Sequence, residues 1–422
     1  MYLSSIDRPE KDAAAPPPRA TFKAIGPNVL ALGAVSLITD ISSEMVTAVL
    51  PLYFVLTLQL SPAAYGLIDG LYTGATALLR LVGGYLADRT LRRKAVASVG
   101  YGISAVAKLG LMAAGSSVAA LGAVIVGDRT GKGLRSAPRD ALISLSVPEP
   151  VLGRAFGLHR AMDSAGAFAG PLAALGLLSL IGATSPAAFD AVFFTSFCVA
   201  ALAIVVLLAF VRDHRAERHE PRSVSPRSVG RLIRRRGVRR LMYTAGLLGL
   251  ATIGDGFVYL HLMHRNNVPA GWFPLFAVGT NLVYLLLAAP LGAIADRIGR
   301  TPMLLGGYGM LFAVYVLLRT PLSGTAATVL VLCCYGTFYA ATDGVLMALA
   351  SPVLPPALRT TGMALVQTVQ ALAYFVSSVA FGAAWSRWGA ATASTMAAGA
   401  VLLAIALTSG LLARPLAEEA TP

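Results

Sequence analysis

Long apolar runs separated by short polar segments extend along almost the whole chain. A helix that crosses a bilayer needs roughly 20 apolar residues, and most of these runs reach that length. The pattern therefore predicts an all-α membrane protein with twelve membrane-spanning helices. The predicted spans are residues 27–57, 64–87, 95–115, 117–146, 154–182, 188–211, 240–264, 272–295, 302–319, 325–350, 359–384 and 390–413.

The longest internal polar segment divides the chain into two halves. Between residues 212 and 239, Arg, His, Glu, Ser and Pro replace the apolar residues. We interpret this segment as a cytoplasmic linker, whose positive charge suits the anionic headgroups of a membrane leaflet. The predicted organisation is a disordered cytoplasmic tail at 1–26, a six-helix bundle at 27–211, the linker at 212–239, a second six-helix bundle at 240–413 and a cytoplasmic tail at 414–422.

Composition and charge support this reading and predict an orientation. Of the 422 residues, 56% are hydrophobic and 13% are charged, which is too apolar for a fold surrounded by water. The formal net charge of +14 falls mainly in alternate polar segments, such as Arg89 to Lys94 and Arg212 to Arg240. By the positive-inside rule those segments and both termini are cytoplasmic, in the inner membrane of a bacterium. The charge reflects topology, so no nucleic acid is predicted as a partner.

Other functional classes are disfavoured by the motifs that the sequence lacks. The three cysteines, Cys198, Cys333 and Cys334, lie in apolar runs and predict no disulfide framework. The chain has no Gly-x-x-x-x-Gly-Lys-Ser/Thr loop of the kind that binds ATP phosphates. We predict that the protein is not an enzyme, holds no cofactor or metal, and is a monomer in the lipid bilayer.

The two halves contain related motifs in the same order, which predicts an internal repeat. Repeated halves are how many transporters build a central site at a pseudo-symmetry axis. The members of each pair are about 210 residues apart. The pairs are Gly84–Arg89 with Gly292–Arg297, Leu37–Asp40 with Thr252–Asp255, and Arg154–Gly157 with Arg359–Gly362.

Both copies of the first motif, a glycine followed by an Asp-Arg pair and further basic residues, resemble the loop signature of the major facilitator superfamily. The resemblance extends from residue 27 to residue 413 and implies transport by alternating access between two six-helix bundles. In that family the motif latches one bundle to the other, so the matching residues are assigned to gating. They are Gly84, Asp88, Arg89, Arg92, Gly292, Asp296, Arg297, Arg300 and Arg359, with Asp88 expected to face Arg359.

The fourth span contains charged residues that resemble the Arg-x-x-polar-Gly pattern of the same family. Arg129 lies about twelve residues from the outer end of the span, or roughly 18 Å at 1.5 Å per residue, which places it near the middle of the membrane. A charge at that depth must face a cavity or a partner, so it is a functional candidate.

Acidic residues in other spans are candidate partners for Arg129 and candidate proton carriers. Asp40 and Glu44 share one face of the first helix, and two carboxylates that close tend to hold a proton between them. Asp163 follows Arg160 by one turn in the fifth span. The predicted proton-coupling set is Asp40, Glu44, Arg129, Asp163 and Asp255; a structural ion-pair network remains the alternative.

The predicted substrate-binding residues come from both halves, because the tenth span lacks the charges of the fourth. The second half supplies polar and aromatic groups that suit an amphipathic molecule. The set is Lys132, Arg135, His159, Arg160, Tyr259, Asp343 and Gln367.

Together these patterns predict a secondary transporter that exports a small molecule in exchange for protons. Export is favoured because Gly166 to Pro171 resembles the Gly-x-x-x-Gly-Pro element of facilitator exporters, although a helix-packing face also explains it. Three alternatives stay open. They are an importer or facilitator of an anionic metabolite bound by Lys132, Arg135 and Arg160, a transition-metal transporter that uses His261, Met263 and His264, and a membrane sensor without transport.

Overall fold

The computed structural model describes residues 26–90, 92–148, 152–182, 185–213, 226–355 and 358–413. Side chains are described throughout these ranges except at 80–90, 137, 152–153, 226–229 and 359–360. The secondary structure of this part of the chain is helical, so the predicted all-α class is confirmed.

The first half contributes six helices that follow the predicted apolar runs. The first, α1, continues through a short helix at Leu50–Leu52 into a π-helix at Tyr53–Thr57. The helices are α1 (Pro27–Thr47), α2 (Pro62–Thr90), α3 (Arg93–Ala113), α4 (Val118–Leu145), α5 (Leu152–Ile181) and α6 (Pro186–Phe210).

The second half repeats this order, with two helices that are interrupted. The last long helix, Arg359–Leu412, bends at Gly389, where φ is 82°, and we name its parts before and after the bend α11 and α12. The others are α7a (Arg236–Leu250), α7b (Asp255–Asn266), α8 (Pro274–Ile298), α9 (Arg300–Leu317), α10a (Thr325–Thr342) and α10b (Val345–Ala350).

The predicted domain boundaries differ from the helices mainly at the linker. The segment predicted as a linker contains a helix at Pro226–Arg234, and α7a begins at Arg236 rather than at residue 240. Arginine is a good helix former, so a basic segment can continue a helix beyond its apolar part. The predicted tails lie outside the described residues apart from Gly26. In the described part of the chain, eight helices are long and apolar enough to cross a membrane.

Small residues allow the helices of the first bundle to approach each other closely. Helix α5 packs along α1, and a β-carbon built on Gly170 would lie 2.7 Å from the Ile41 carbonyl oxygen and 2.9 Å from the Met45 nitrogen. Gly166, one turn earlier, is equally close to Leu37. This is the packing face that the Gly-x-x-x-Gly spacing predicts.

The two bundles meet along α2 with α11 and along α5 with α8. We call the end that holds Gly26 and Ala413 the terminus side and the opposite end the distal side. On the distal side α2 and α11 are almost in backbone contact, because a β-carbon on Gly66 would lie 3.2 Å from the Gly382 Cα atom. Tyr65 adds an edge-to-face contact with Phe257, with ring centroids 4.7 Å apart. The bundles are therefore closed together on the distal side.

Candidate functional site

A cavity of about 380 Å³ lies between the two bundles. Helices α1, α2 and α4 line it from one bundle, and α7b, α8, α10a and α11 line it from the other. Its polar lining consists of acids, tyrosines, threonines and one amide. These residues are Glu44, Thr47, Tyr65, Asp69, Tyr72, Thr73, Asp255, Tyr259, Asn281, Tyr339 and Tyr374.

Asp255 enters the cavity because α7 is interrupted just before it. The chain leaves the helical conformation between α7a and α7b, and the buried Tyr315 hydroxyl accepts from the Ile253 nitrogen at 3.1 Å and donates to the Ala251 carbonyl oxygen at 3.3 Å. Unwound backbone at membrane depth needs such partners. Interrupted helices of this kind commonly mark the binding sites of secondary transporters.

Two tyrosines of α10a hold the Asp255 carboxylate in place. The Tyr335 hydroxyl donates to Asp255 Oδ1 at 2.7 Å, and the Tyr339 hydroxyl donates a second hydrogen bond to the same oxygen. Tyr259, one turn after Asp255, donates to Thr280 at 3.0 Å. Hydroxyl donors aimed at a buried carboxylate stabilise its charge and fix its orientation.

Glu44 lines the cavity from α1, beside an aromatic residue that contacts a buried arginine. The Arg129 guanidinium lies 3.7 Å from the centre of the Tyr72 ring, and the Tyr72 hydroxyl shares a hydrogen bond of 2.9 Å with Thr47. Arginine stacked on an aromatic face in a desolvated site is a favourable cation–π arrangement. The side chains next to Glu44 are therefore held in place by α2 and α4.

Arg129 is paired inside the first bundle. Its guanidinium forms an ion pair with the adjacent Asp128, whose Oδ1 atom also accepts from Ser104 at 2.8 Å and lies 3.9 Å from the Lys108 Nζ atom. Arg129 is 4% exposed and Lys108 is 3% exposed. The near-midplane arginine that we predicted is buried, and its charge is balanced by a neighbour on its own helix.

The second acidic pair of the first bundle joins α1 to α5. The carboxyl groups of Asp40 and Asp163 lie close to each other, and Asp163 accepts from Ser36 at 2.6 Å. Arg139 of α4 lies 4.0 Å from the same Asp163 oxygen. Two carboxyl groups this close favour a shared proton, because their two charges would repel each other. Asp40 thus has Asp163 as its main acidic neighbour, and Glu44, with which we predicted a pair, is a weaker one.

A third carboxylate, Asp69, bridges the bundles at the distal end of the cavity. Its Oδ2 atom accepts from Ser378 at 2.6 Å and from Tyr374 at 3.0 Å, and both donors lie on α11. The backbone of Gly254 packs against the same carboxylate. This contact links α2, α7 and α11 where the two bundles are closed together.

A second compartment of about 300 Å³ lies next to the cavity, toward the terminus side. Thr73, Tyr339 and Tyr374 line both spaces, which makes them adjacent. The compartment also includes Gln367 and the exposed Asp343, which accepts from Tyr284 at 2.8 Å. The two spaces together extend from the centre toward the terminus side.

Four of the predicted substrate-binding residues lie outside both compartments as the structure describes them. Arg135 is buried with its guanidinium 4.8 Å from the centre of the Tyr101 ring, which places it between α4 and α3. His159 is buried and Arg160 is exposed on α5, and Lys132 lies on α4. Of the other three, Tyr259 lines the cavity, and Asp343 and Gln367 line the second compartment.

The gating residues can be located only in part. Gly84, Asp88 and Arg89 lie in the last turns of α2 and Arg359 begins α11, but the side chains of Asp88 and Arg359 are outside the described part of the chain. Arg300 donates to the Ala348 carbonyl oxygen at 2.6 Å and so ties α9 to α10b. The remaining residues of the set, Arg92, Gly292, Asp296 and Arg297, are exposed.

The histidines considered for metal binding have other partners. His261 is buried, with its Nδ1 atom 3.2 Å from the Ser394 hydroxyl and its ring against Trp385. His264 Nδ1 lies 2.9 Å from the Leu260 carbonyl oxygen. Among the described residues, no three His, Cys, Asp or Glu side chains are grouped as a metal site would require.

Our reading of the sequence missed three charged residues that the structure places in or beside the site. Asp69 and Lys108 each interrupt an apolar run, and Asp128 precedes the arginine that we did select. An ionisable residue within a membrane span is a functional candidate by default, so the signal was present. Which residues pair with Asp69 could not be read from the sequence, because Tyr374 lies on the other bundle.

Comparison with known proteins gives a consistent family assignment. The profile of the Major Facilitator Superfamily matches residues 32–378. An uncharacterized MFS-type transporter of Methanocaldococcus jannaschii is 30% identical over 404 residues, which cover 91% of this chain and 94% of the relative. An uncharacterized protein of Mycobacterium bovis is 36% identical over 158 residues, or 36% of this chain and 37% of the relative.

Solved structures share the fold at low sequence identity. The crystal structure of the nucleoside transporter NupG has a TM-score of 0.77 at 15% identity and covers 92% of this chain and 99% of its own. That of a D-xylose-proton symporter has a TM-score of 0.68 at 16% identity, over 91% and 97%. With the two packed bundles, the interrupted helices and the central cavity, these matches lead to one conclusion. The chain is a multi-pass membrane protein of the major facilitator superfamily of secondary transporters.

Proposed function

We propose that this transporter is a proton-coupled antiporter that exports a small molecule by alternating access. The observation that carries the proposal is the close approach of the Asp40 and Asp163 carboxyl groups inside the first bundle, where a shared proton would relieve their repulsion. Ionisable groups at such depth are typical of proton pathways in transporters. Because Glu44 lies one turn from Asp40 and lines the cavity, α1 links the proton site to the substrate site.

The coupling step that we propose is a competition between two partners for Asp163. Arg139 lies 4.0 Å from Asp163, and a closer approach would stabilise the ionised carboxylate. Since α1 and α5 are in close contact at Gly166 and Gly170, a shift of one helix against the other would change the Asp40–Asp163 contact directly. Substrate binding at Glu44 would thereby promote proton release.

The direction of transport follows from the proposed antiport, because protons that enter the cell drive the exchanged substrate outward. If the terminus side is cytoplasmic, as the basic segments predict, the second compartment lies toward the cytoplasm and the bundles are closed together on the outside. A cytoplasmic substrate would enter past Asp343 and reach Glu44 and Asp255. Opening of the distal contacts and closure near Asp88 and Arg359 would then release it outside.

A flux experiment on reconstituted protein tests this proposal. A ligand found by a thermal-shift screen of the purified protein would be radiolabelled and measured in proteoliposomes, both as flux driven by a proton gradient and as exchange at equal pH. We expect Asp40→Asn and Asp163→Asn to abolish uphill flux and to spare exchange, because exchange needs no net proton movement.

Asp190→Asn is the matched control, because Asp190 is an acid of α6 that lines neither compartment. It should transport like the parent. Uphill flux that survives in both the Asp40 and the Asp163 variants would show that these acids are structural. A bound ligand that never crosses the membrane would overturn the transport proposal itself.

A further inference from the structure

We infer that the central cavity selects an organic cation with an aromatic or aliphatic body. This inference deepens the proposed function by naming the substrate class of the same site. It rests on the charge, the hydrogen bonding and the aromatic content of the lining, each of which is an independent observation. It replaces the anionic metabolite that the basic residues of α4 and α5 had left open.

The charged groups of the cavity lining are all acidic. Glu44, Asp69 and Asp255 line the cavity, and no lysine, arginine or histidine does so among the described residues. In the same part of the chain, none of the ion pairs within 4.0 Å includes any of these three acids. Three carboxylates around one low-dielectric space repel one another and would repel an anion. A cation would relieve that repulsion.

Each acid retains hydrogen-bonding capacity that a ligand could use. Asp69 accepts both of its hydrogen bonds at Oδ2, and Asp255 accepts both from Tyr335 and Tyr339 at Oδ1. Within the described residues, the other oxygen of each is left without a side-chain donor, although the Gly254 backbone packs against Asp69, and Glu44 accepts no side-chain hydrogen bond. An ammonium or protonated amine can donate to such oxygens.

Aromatic rings provide the second half of a cation site. Five tyrosines line the cavity, together with Phe54 and Phe273. Aromatic faces attract cations, and cages of several rings recognise quaternary ammonium groups. The rings also give an apolar body a surface to pack on, within a space of the size that holds drug-sized ligands.

The nearby basic residues do not offset this preference. Arg129 and Lys108 line a small adjoining space of about 20 Å³ that shares Thr47 and Tyr72 with the cavity, and both cations contact Asp128 there. Lys132 of α4 acts on Glu44 without lining the cavity, and Arg135 occupies the interface between α4 and α3. An anion entering the cavity would therefore meet three carboxylates on the lining, with the cations behind it.

Calorimetry on the full-length protein in lipid nanodiscs tests the inference. The probes come in sets of three compounds that have a similar aromatic body but carry a positive, a zero or a negative charge. One set is N-methyl-4-phenylpyridinium, neutral 4-phenylpyridine at pH 8 and biphenyl-4-carboxylate. Two further sets of the same design have a phenyl or a naphthyl body. We expect the cationic members to bind at least about tenfold more tightly than their neutral and anionic counterparts. Tighter binding of neutral or anionic members, or no binding by any cation, would overturn the inference.

Variants show whether the binding uses these acids. Glu44→Gln and Asp255→Asn should each weaken cation binding about tenfold and leave the neutral probes unchanged, whereas Asp190→Asn should change neither. If one variant does not elute as a folded protein, the other still decides the question. Cation binding that is unchanged in every folded variant would contradict the assignment. Binding without proton-driven flux would instead contradict the transport proposal and leave the substrate class intact.

Discussion

The phenol of Tyr374 on α11 donates a hydrogen bond of 3.0 Å to the Asp69 carboxylate on α2, 305 residues away in the sequence. Ser378, one turn further along α11, donates to the same oxygen at 2.6 Å. One carboxylate thus joins the two bundles beside the cavity. Because the bond crosses the interface that would separate during the proposed alternating access, we expect it to act as a latch of the distal side.

Removing this latch should favour the conformation that is open on the distal side. Hydrogen bonds to a charged group contribute about 1.5–3 kcal/mol each, so Tyr374→Phe with Ser378→Ala should raise the distal-open population at least about tenfold. Spin labels at the exposed Ser61 and Arg387, in a cysteine-free background, would report the distance across the distal side. Ser98→Ala, which removes only a bond to the Lys94 carbonyl oxygen, is the control. An unchanged distance distribution in the double variant would exclude the latch.

Tyr315 should be essential for the stability of the α7 interruption. Tyr315→Phe leaves the buried Ile253 nitrogen and Ala251 oxygen without their hydroxyl partner, which should cost about 1–3 kcal/mol. Thermal unfolding in detergent would measure the loss. Tyr243→Phe is the control, because it also removes a tyrosine hydroxyl but at a residue that is 59% exposed, where the loss should not affect stability. Equal stability of the two variants would mean that other groups satisfy the unwound backbone.

The close contact of α5 with α1 should not tolerate a side chain at Gly170. Gly170→Ala places a methyl group 2.7 Å from the Ile41 carbonyl oxygen, so the helices must separate, at a cost of about 1–3 kcal/mol. Gly176→Ala on the same helix meets no atom within 4 Å and should stabilise the helix slightly. Unfolding temperatures of the two variants should therefore move in opposite directions. If the unfolding temperature of Gly170→Ala equals that of the parent, α1 and α5 can separate at little cost in free energy.

Lysine should not replace Arg129, although it retains the charge. Arg129→Lys loses the planar group that stacks 3.7 Å from the centre of the Tyr72 ring and pairs with Asp128. We expect a stability loss of about 1–2 kcal/mol and reduced flux. The exposed Arg92→Lys is the matched control and should behave like the parent. If Arg129→Lys is as stable as the parent, the charge of Arg129 contributes more to stability than its planar shape does.

The topology can be checked by labelling single cysteines in intact cells. Because the strongly basic segments are all predicted to lie on the cytoplasmic side, cysteines at Pro17, Pro226 and Glu418 should resist an impermeant thiol reagent. Cys198 and Cys333 are exposed and must first be replaced. A cysteine at Ser116, in the exposed turn before α4, is the positive control and should label readily. Rapid labelling at any of the three test sites would reverse the proposed orientation.

Much of the architecture follows from the sequence by itself. Apolar runs long enough to cross a bilayer can be satisfied only by helices, because lipid offers no hydrogen bonds to the backbone. The repeated motifs at Gly84 and Gly292 indicated two related halves, and the depth of Arg129 indicated a buried charge. These features depend on local composition and on the spacing of residues along the chain, and both can be read directly from the sequence.

Tertiary structure alone decided which charges meet. Helical spacing put Asp40 and Glu44 on one face, but it could not tell that α5 brings Asp163 to Asp40 while Glu44 faces the cavity. In the same way, the pairing of Asp69 with Tyr374 depends on how two bundles pack, and that packing is set by many distributed contacts between distant segments. A helix specifies the direction of its side chains, whereas the neighbour that occupies that direction is determined only when the helices assemble.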